Sequence, residues 1–446
     1  MHGATRDLPT PRIANARMAA LLAGPLDARA LDAVEALLES CGSLQLPALP
    51  NGLYAAVART HAGNAYTGYA NTWVRDTVQI AHAAWERGQV GRAAAAARSL
   101  LAWFATQAGR FEACIAGEAD LSDPMQRPHI RFRGAELAEL PEWWPHAQND
   151  ALGYTLWFLS RAALSGLLPL DAAAAAVLWR FPRYFAAIRY WQDRDSGHWE
   201  EARKLQCSSV GAVVAGLLAF RGLCRSRPEL AAPGTPALDE LLAAGRAHLA
   251  AVLPAESAGE SDPTLNRSTD AALLFLVHPL RVVSPEMGAR IGDDVRAALA
   301  GPWGIRRYEG DSYWMADYKR LFDERTRTAG FQDDVASRDR FLQPGTEAQW
   351  CLFDPVLSTI HGWRFLATRD PADRALQEWH LRRALGQVTA SGDPAGEGQC
   401  PEAYFLADSR QPSRWVPNDN TPLLWTEAAL SSALLAARKS AIAAPA

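Results

Sequence analysis

Residues 150–164 read DALGYTLWFLSRAAL, and residues 208–220 read SSVGAVVAGLLAF. Neither shows a polar stripe at helical spacing, so a helix built from either must be covered on every side. Segments 73–86, 149–165, 208–222, 268–278, 346–366 and 422–436 share this character. Interleaved with them are 27–41, 89–107, 170–179, 236–252, 284–299 and 371–386, which are rich in Ala, Leu and Arg and have one polar face each. Six helices apolar all round and six amphipathic ones predict an inner ring enclosed by an outer ring. That is an all-α (α/α)6 barrel, a six-hairpin toroid.

The whole chain of 446 residues reads as one such unit, with 1–45 as an N-terminal helical extension. Two stretches break the helical rhythm. Residues 110–146 contain the strand-like HIRFRG, and 301–345 are rich in Trp, Tyr, Arg and Asp. Both read as excursions over the barrel mouth, since long irregular segments in a compact domain are often functional. Capping residues in the sequence mark the starts of several inner helices: Thr421 before Pro422, Ser208-Ser209, and Asn149-Asp150. Polar loops thus lead into inner-helix N-termini, and in a ring of alternating helices those ends share one mouth.

Composition narrows the function. Apolar residues make up 49% and charged residues 21%, with net charge −4 and no basic tract, which excludes nucleic acid and an anionic membrane as expected partners. Six scattered cysteines form no CxxC, so neither a metal site nor a cofactor is expected. The N-terminal Ala/Leu run is broken at Gly24-Pro25, a poor secretory signal. No stretch reads as the ~20 apolar residues that cross a bilayer, so the expected location is cytoplasmic. Oligomeric state is not legible. Sixteen tryptophans are many, and a number sit beside acidic or amide residues, where an indole can wall a sugar ring.

Five polar clusters stand at the starts of buried-type helices: Thr72–Asp76, Trp144–Asp150, His198–Glu201, Thr346–Trp350 and Pro401–Tyr404. Together they predict a polar, aromatic-walled cavity. Glycoside hydrolysis needs one protonated carboxyl and one ionised carboxylate. Glu200 and Glu201 are adjacent and cannot both face one bond, so the second carboxylate must come from Glu402 or Glu347. Trp199 and the neighbouring Glu201 are two reasons to expect a raised pKa at Glu200, which suits an acid. There is no GxSxG elbow, phosphate loop or HExxH.

These segments resemble glycoside hydrolase family 15, the glucoamylase family, and are most similar to the branch shared with phosphorylase kinase alpha and beta subunits. NTWVRDTVQIA (71–81) resembles the W-x-R-D segment, which implies Trp73, Arg75 and Asp76 as sugar-binding residues. WWPHAQNDALGYTLWFL (143–159) implies Trp144 and Asp150 at the sugar site. SGHWEEARKLQ (196–206) implies Glu200 as general acid, with Trp199 and Glu201 binding sugar. IRRYEGDSYW (305–314) implies Arg307 and Asp311, and GTEAQWCLFDPVL (345–357) implies Glu347. CPEAYFLADSRQPSRWVPNDNTPLLWTEAAL (400–430) resembles the segment carrying the general base, hence Glu402. His146 and Ala147 depart from the fungal pattern, and the spacing from Glu402 to Trp425 is longer.

The resemblance implies an inverting exo-acting α-glucosidase that releases β-glucose from an α-linked glucose oligosaccharide or glucoside. The carboxyl groups should lie roughly 6.5–9.5 Å apart to admit water. The rival expectation is a non-catalytic carbohydrate-binding or regulatory protein like the kinase subunits, and a third is a phosphorylase. Linkage, aglycone and chain-length preference depend on acceptor-side loops and are not legible.

Overall fold

A computed structural model describes residues 8–230, 236–328 and 336–443. Six outer helices are α1 (Ala28–Ser40), α3 (Val90–Thr106), α5 (Ala172–Ala187), α7 (Leu238–Val252), α9 (Pro285–Leu299) and α11 (Pro371–Gly386). They alternate with six inner ones, α2 (Val74–Glu86), α4 (Asn149–Leu164), α6 (Cys207–Ser226), α8 (Leu274–Val277), α10 (Phe353–Thr368) and α12 (Leu424–Ala443). Each inner helix packs on the next, α2 on α4, α4 on α6, α6 on α8, α8 on α10, α10 on α12, and α12 back on α2. The ring therefore closes, and the two-class pattern of the sequence is the (α/α)6 toroid. Helix α1, within the stretch expected as an N-terminal extension, packs on α12 and occupies an outer position.

Burial explains why the inner helices lack a polar stripe. In α4 every residue from Asn149 to Ser160 is buried. Helices α4 and α6 approach so closely that a Cβ on Gly153 would lie 2.5–2.7 Å from backbone atoms of Ala212 and Val213. Helix α6 is 20 residues long with mean hydropathy 1.7. This corrects the expectation that no stretch approaches a membrane-span composition. A helix enclosed by protein on all sides reads like one enclosed by lipid.

Three details differ from the sequence reading. Segment 268–278 forms a single 3-10 turn (Ala271–Leu273) and the one-turn α8, because Pro279 forces His278 into extended backbone. The 346–366 segment opens as a strand, and its helix begins only at Phe353. Helix α5 continues past Pro182 to Ala187.

The capping expectation is also corrected. Side-chain N-caps belong to outer helices, with Asp27, Asp171, Ser284 and Asp370 accepting from the first turns of α1, α5, α9 and α11. The Thr421 hydroxyl instead donates to Asn418 O (2.8 Å), and Ser208 Oγ donates to Glu256. Inner N-termini are tied by remote segments. Val74 N donates to Ile130 O, Asn149 N to Asp195 Oδ2, Cys207 N to Glu256 O, Cys351 N to Glu402 O and Leu424 N to Ala56 O. Those ties bring distant chain segments to one mouth.

Two small antiparallel sheets flank that mouth. One joins β1 (Thr72–Trp73), β2 (Arg131–Arg133) and β3 (Ala138–Glu139); the other joins β4 (Gln349–Trp350), β5 (Ala403–Leu406) and β6 (Trp415–Pro417). The first belongs to the 110–146 excursion and the start of α2. Of the 301–345 excursion, residues 329–335 lie outside the described residues.

Candidate active site

An open pocket of about 840 Å³ lies at the N-terminal ends of the inner helices. Its walls include Trp73, Arg75, Asp76, Trp144, Trp199, Glu200, Glu201, Arg307 and Glu402. Asp150, Asp311 and Glu347 are not wall residues. Asp150 stands behind Arg75 (Oδ2 to Nη1, 2.8 Å), and Asp311 behind Arg307 (Oδ2 to Nε, 2.6 Å). Glu347 accepts from Gly310 N (3.1 Å) and pairs with Arg306 (3.5 Å). It is turned away from the pocket, which removes it as the alternative second carboxylate.

Glu200 ends a 3-10 turn, Gly197–Trp199, in left-handed backbone (φ 57°). Its Oε1 accepts from Trp73 Nε1 (2.9 Å), Gln148 Nε2 (3.0 Å) and Trp144 Nε1 (3.3 Å), with Arg75 Nη2 at 3.7 Å. Among the described residues, Oε2 has no hydrogen-bond donor. Glu201 does not act on Glu200 as the like charge expected from adjacency. The left-handed residue turns the chain so that Glu201 meets Arg307 (2.9 Å), Arg338 (3.1 Å), Arg267 (3.0 Å) and the Tyr308 hydroxyl (2.5 Å). Burial opposes its charge, but these cations hold the Glu201 carboxyl well below the usual range.

Glu402 sits in a different donor set. Oε1 accepts from Tyr69 OH (2.8 Å), while Oε2 accepts from Asn418 Nδ2 and Asn420 Nδ2 (2.6 Å each). Burial pushes its pKa up to about 7, and the three donors hold it from rising further. Asp76, also on the wall, is pushed up to about 7 by burial, with Glu200 and Glu402 adding like charge and Arg75 opposing. Burial drives His198 down to about 4, so it is a neutral wall residue at pH 7.

The aromatic walls connect the carboxyl groups. Tyr69, the donor to Glu402, packs on Trp73 (ring centroids 5.3 Å), and Trp73, a donor to Glu200, meets Trp144 edge-on at 5.8 Å. Trp199 donates to Asp270 (2.9 Å), and Trp425 lies under the Arg75 guanidinium at 5.8 Å.

Several pocket or supporting residues were not singled out from the sequence. Gln148, Trp350 and Trp425 lie inside the quoted motifs, so the signal was present. Asn418 and Asn420 lie inside the quoted 400–430 segment, just before the Thr421-Pro422 pair. Tyr313 also lies inside a quoted motif, IRRYEGDSYW, whereas Tyr69 and Arg338 come from segments with no local signature.

Comparison with known proteins follows the same lines. A family model described as "Glycosyl hydrolases family 15" matches residues 32–230. The chain is 26% identical over 399 residues to a probable phosphorylase b kinase regulatory subunit alpha of Caenorhabditis elegans, covering 80% of this chain and 30% of that protein. It therefore spans less than a third of that relative's length. A solved wild-type glycosidase superposes with a TM-score of 0.65 at 22% identity, covering 93% of this chain and 99% of its own. A glucoamylase from Saccharomycopsis fibuligera superposes with a TM-score of 0.58 at 11% identity, covering 97% of both chains. The motif order and the family model agree that residues 32–230 are similar to the glycosyl hydrolases of family 15, and the solved structures share the toroid over nearly the whole chain.

Proposed function

We propose that the chain is an inverting, exo-acting α-glucosidase in which Glu200 is the general acid and Glu402 the general base. The observation that supports this most is the asymmetry of two carboxyl groups on one pocket. Every donor to Glu200 reaches Oε1, which leaves Oε2 to carry a proton toward a leaving oxygen. Glu402 meets only donors, the pattern that suits an ionised carboxylate, and Oε1 keeps a lone pair for a water proton. A base with a pKa near the working pH combines availability with proton affinity.

In this reading the terminal glucose lies deep in the pocket, with Arg75, Asp76 and Arg307 meeting its hydroxyls and the indoles of Trp73, Trp144 and Trp199 forming its walls. Glu200 protonates the glycosidic oxygen as the C1–O bond breaks. A water on the opposite face gives its proton to Glu402 and adds to C1, releasing β-glucose. Asp150, Asp311 and Glu201 hold the arginines in place. The substrate class is an α-linked glucose oligosaccharide or glucoside, and the expected location is cytoplasmic.

The test is a panel of α-1,4, α-1,6, α-1,1 and α-1,2 diglucosides, with proton NMR of the first product. Initial β-glucose is expected. Initial α-glucose would end the inverting assignment, and turnover that requires phosphate would make the protein a phosphorylase. The similarity to a kinase regulatory subunit favours a second reading, a non-catalytic sugar binder. It predicts heat of binding in calorimetry on the same panel with no glucose released.

A further inference from the structure

The strand HIRFRG places an unneutralised guanidinium beside the mouth. Arg131 is directly opposite Trp73 across the β1–β2 ladder and is only 9% exposed. Its guanidinium carbon lies 4.0 Å from the Trp144 ring centroid and 4.9 Å from that of Trp73. These are the two indoles that donate to Glu200. The buried arginines around the pocket other than Arg131, and the half-buried Arg267, each have a carboxylate within hydrogen-bonding reach: Arg75 has Asp150, Arg307 has Asp311 and Glu201, Arg338 has Glu201, and Arg267 has Glu201 and Asp270. Among the described residues, no carboxylate comes within 4 Å of Arg131, and its buried Nε has no hydrogen-bond partner. Glu200 and the exposed Glu142 act on it only from a distance.

Strand periodicity repeats the feature. Phe132 turns to the other face and stacks on Trp103 at 3.9 Å. Arg133 shares the Arg131 face, is exposed, and has no ion-pair partner among the described residues. Two indole faces offset part of the cost of a buried cation, but they supply no counter-charge. A guanidinium is planar, and its fork of N–H donors matches a carboxylate or phosphate.

We propose that Arg131, with Arg133 beside it, reads an anionic group on the aglycone, so that the preferred substrates are α-glucosides whose leaving portion carries a carboxylate or phosphate. This deepens the α-glucosidase reading and rests on it, because Arg131 packs on the two indoles that hold Glu200, the proposed proton donor to the leaving group.

The test uses pairs of ligands that differ chiefly in charge. Maltobionate and maltitol form the carboxylate pair, and trehalose 6-phosphate and trehalose form the phosphate pair. Calorimetry on the full chain carrying Glu200→Gln is expected to show the anionic member of at least one pair binding about tenfold tighter. Arg131→Gln in that background should bring the ratio close to one, and the pair that responds identifies the group. Equal binding within both pairs would overturn the proposal, as would a preference that survives Arg131→Gln in a protein with unchanged near-UV circular dichroism. If Arg131→Gln does not fold, Arg131→Lys carries the test. It keeps the charge but loses the planar fork, so a ratio at least halved supports the proposal and an unchanged ratio overturns it. Hydrolysis of neutral glucosides without charge preference sinks this inference and leaves the hydrolase reading intact. Charge-selective binding in a chain that hydrolyses no glucoside sinks the hydrolase reading instead.

Discussion

Asn420→Ala isolates one of the contacts that set the proton affinity of Glu402. The Asn420 amide nitrogen reaches Glu402 Oε2 at 2.6 Å and the Tyr313 hydroxyl at 3.1 Å, and its own oxygen has no partner among the described residues. A hydrogen bond to a charged group contributes about 1.5–3 kcal/mol, and one pKa unit corresponds to about 1.4 kcal/mol. Removing it should therefore raise Glu402 by about 1–2 units from its value of about 7. The ascending limb of kcat/KM, which follows ionisation of the base, should move to about pH 8–9, and the maximum should fall. Stability gives a second readout with a fixed sign. Folding raises this carboxyl above its unfolded value of about 4.3, so the native state binds the extra proton. The resulting penalty is absent below that value and grows as pH rises to about 7. In the variant it should keep growing to about pH 8–9, so that the stability lost relative to the unsubstituted protein is about 1.5–3 kcal/mol larger at pH 9 than at pH 4. Rate profiles from pH 4 to 10 and urea titrations at both extremes measure the two effects. Asp76 also lies near 7 and is coupled to Glu402, so the limb belongs to the pair. A limb that moves with Asp76→Asn but not with Asn420→Ala would refute the assignment of the base.

Glu200→Gln should lower kcat by about 10²–10⁴-fold with little change in KM; α-glucosyl fluoride, whose leaving group needs no proton, should recover most of the loss, and an equal loss on both substrates would deny Glu200 the acid role. Glu201→Ala leaves three guanidiniums short of a shared carboxylate and should cost about 3–5 kcal/mol in urea unfolding; a loss below about 1 kcal/mol would mean the cluster is solvated. Gly153→Ala puts a methyl 2.5 Å from the Ala212 carbonyl carbon and should destabilise by about 1–3 kcal/mol or more through overpacking, without shifting the pH profile.

How much of this was legible in the sequence depends on the kind of interaction. The ring was readable because burial on all sides leaves a compositional mark, plain in Asn149–Ser160 and in α6. Helix α8 is shorter than its apolar run suggests because its truncation comes from one proline at 279, a local signal outweighed by the run before it. Caps were misplaced for a related reason. Ser208 and Thr421 have the right chemistry for a cap, but at the mouth that chemistry serves Glu256 and Asn418. Outer helices start in solvent and need their own caps, while inner helices start against other loops.

The carboxyl groups were legible as types and positions, but their environments were not. Adjacency in sequence suggested that Glu201 would act on Glu200, whereas left-handed backbone at Glu200 separates the two side chains into different networks. The donors that distinguish Glu402 come from Tyr69, Asn418 and Asn420, of which only the asparagines are near it in sequence. This distinction bears on the choice between catalyst and binder. A sugar-holding pocket needs hydrogen-bond donors and acceptors of fixed character, which Arg75 and Glu201 supply with charges locked by their partners. Glu402 differs in being a fully buried carboxyl pushed up to about 7, so that the folded state is weakened as the pH rises. Glu402 shares its pocket with Glu200, which has one uncommitted oxygen, and the proton transfer proposed above would use both groups.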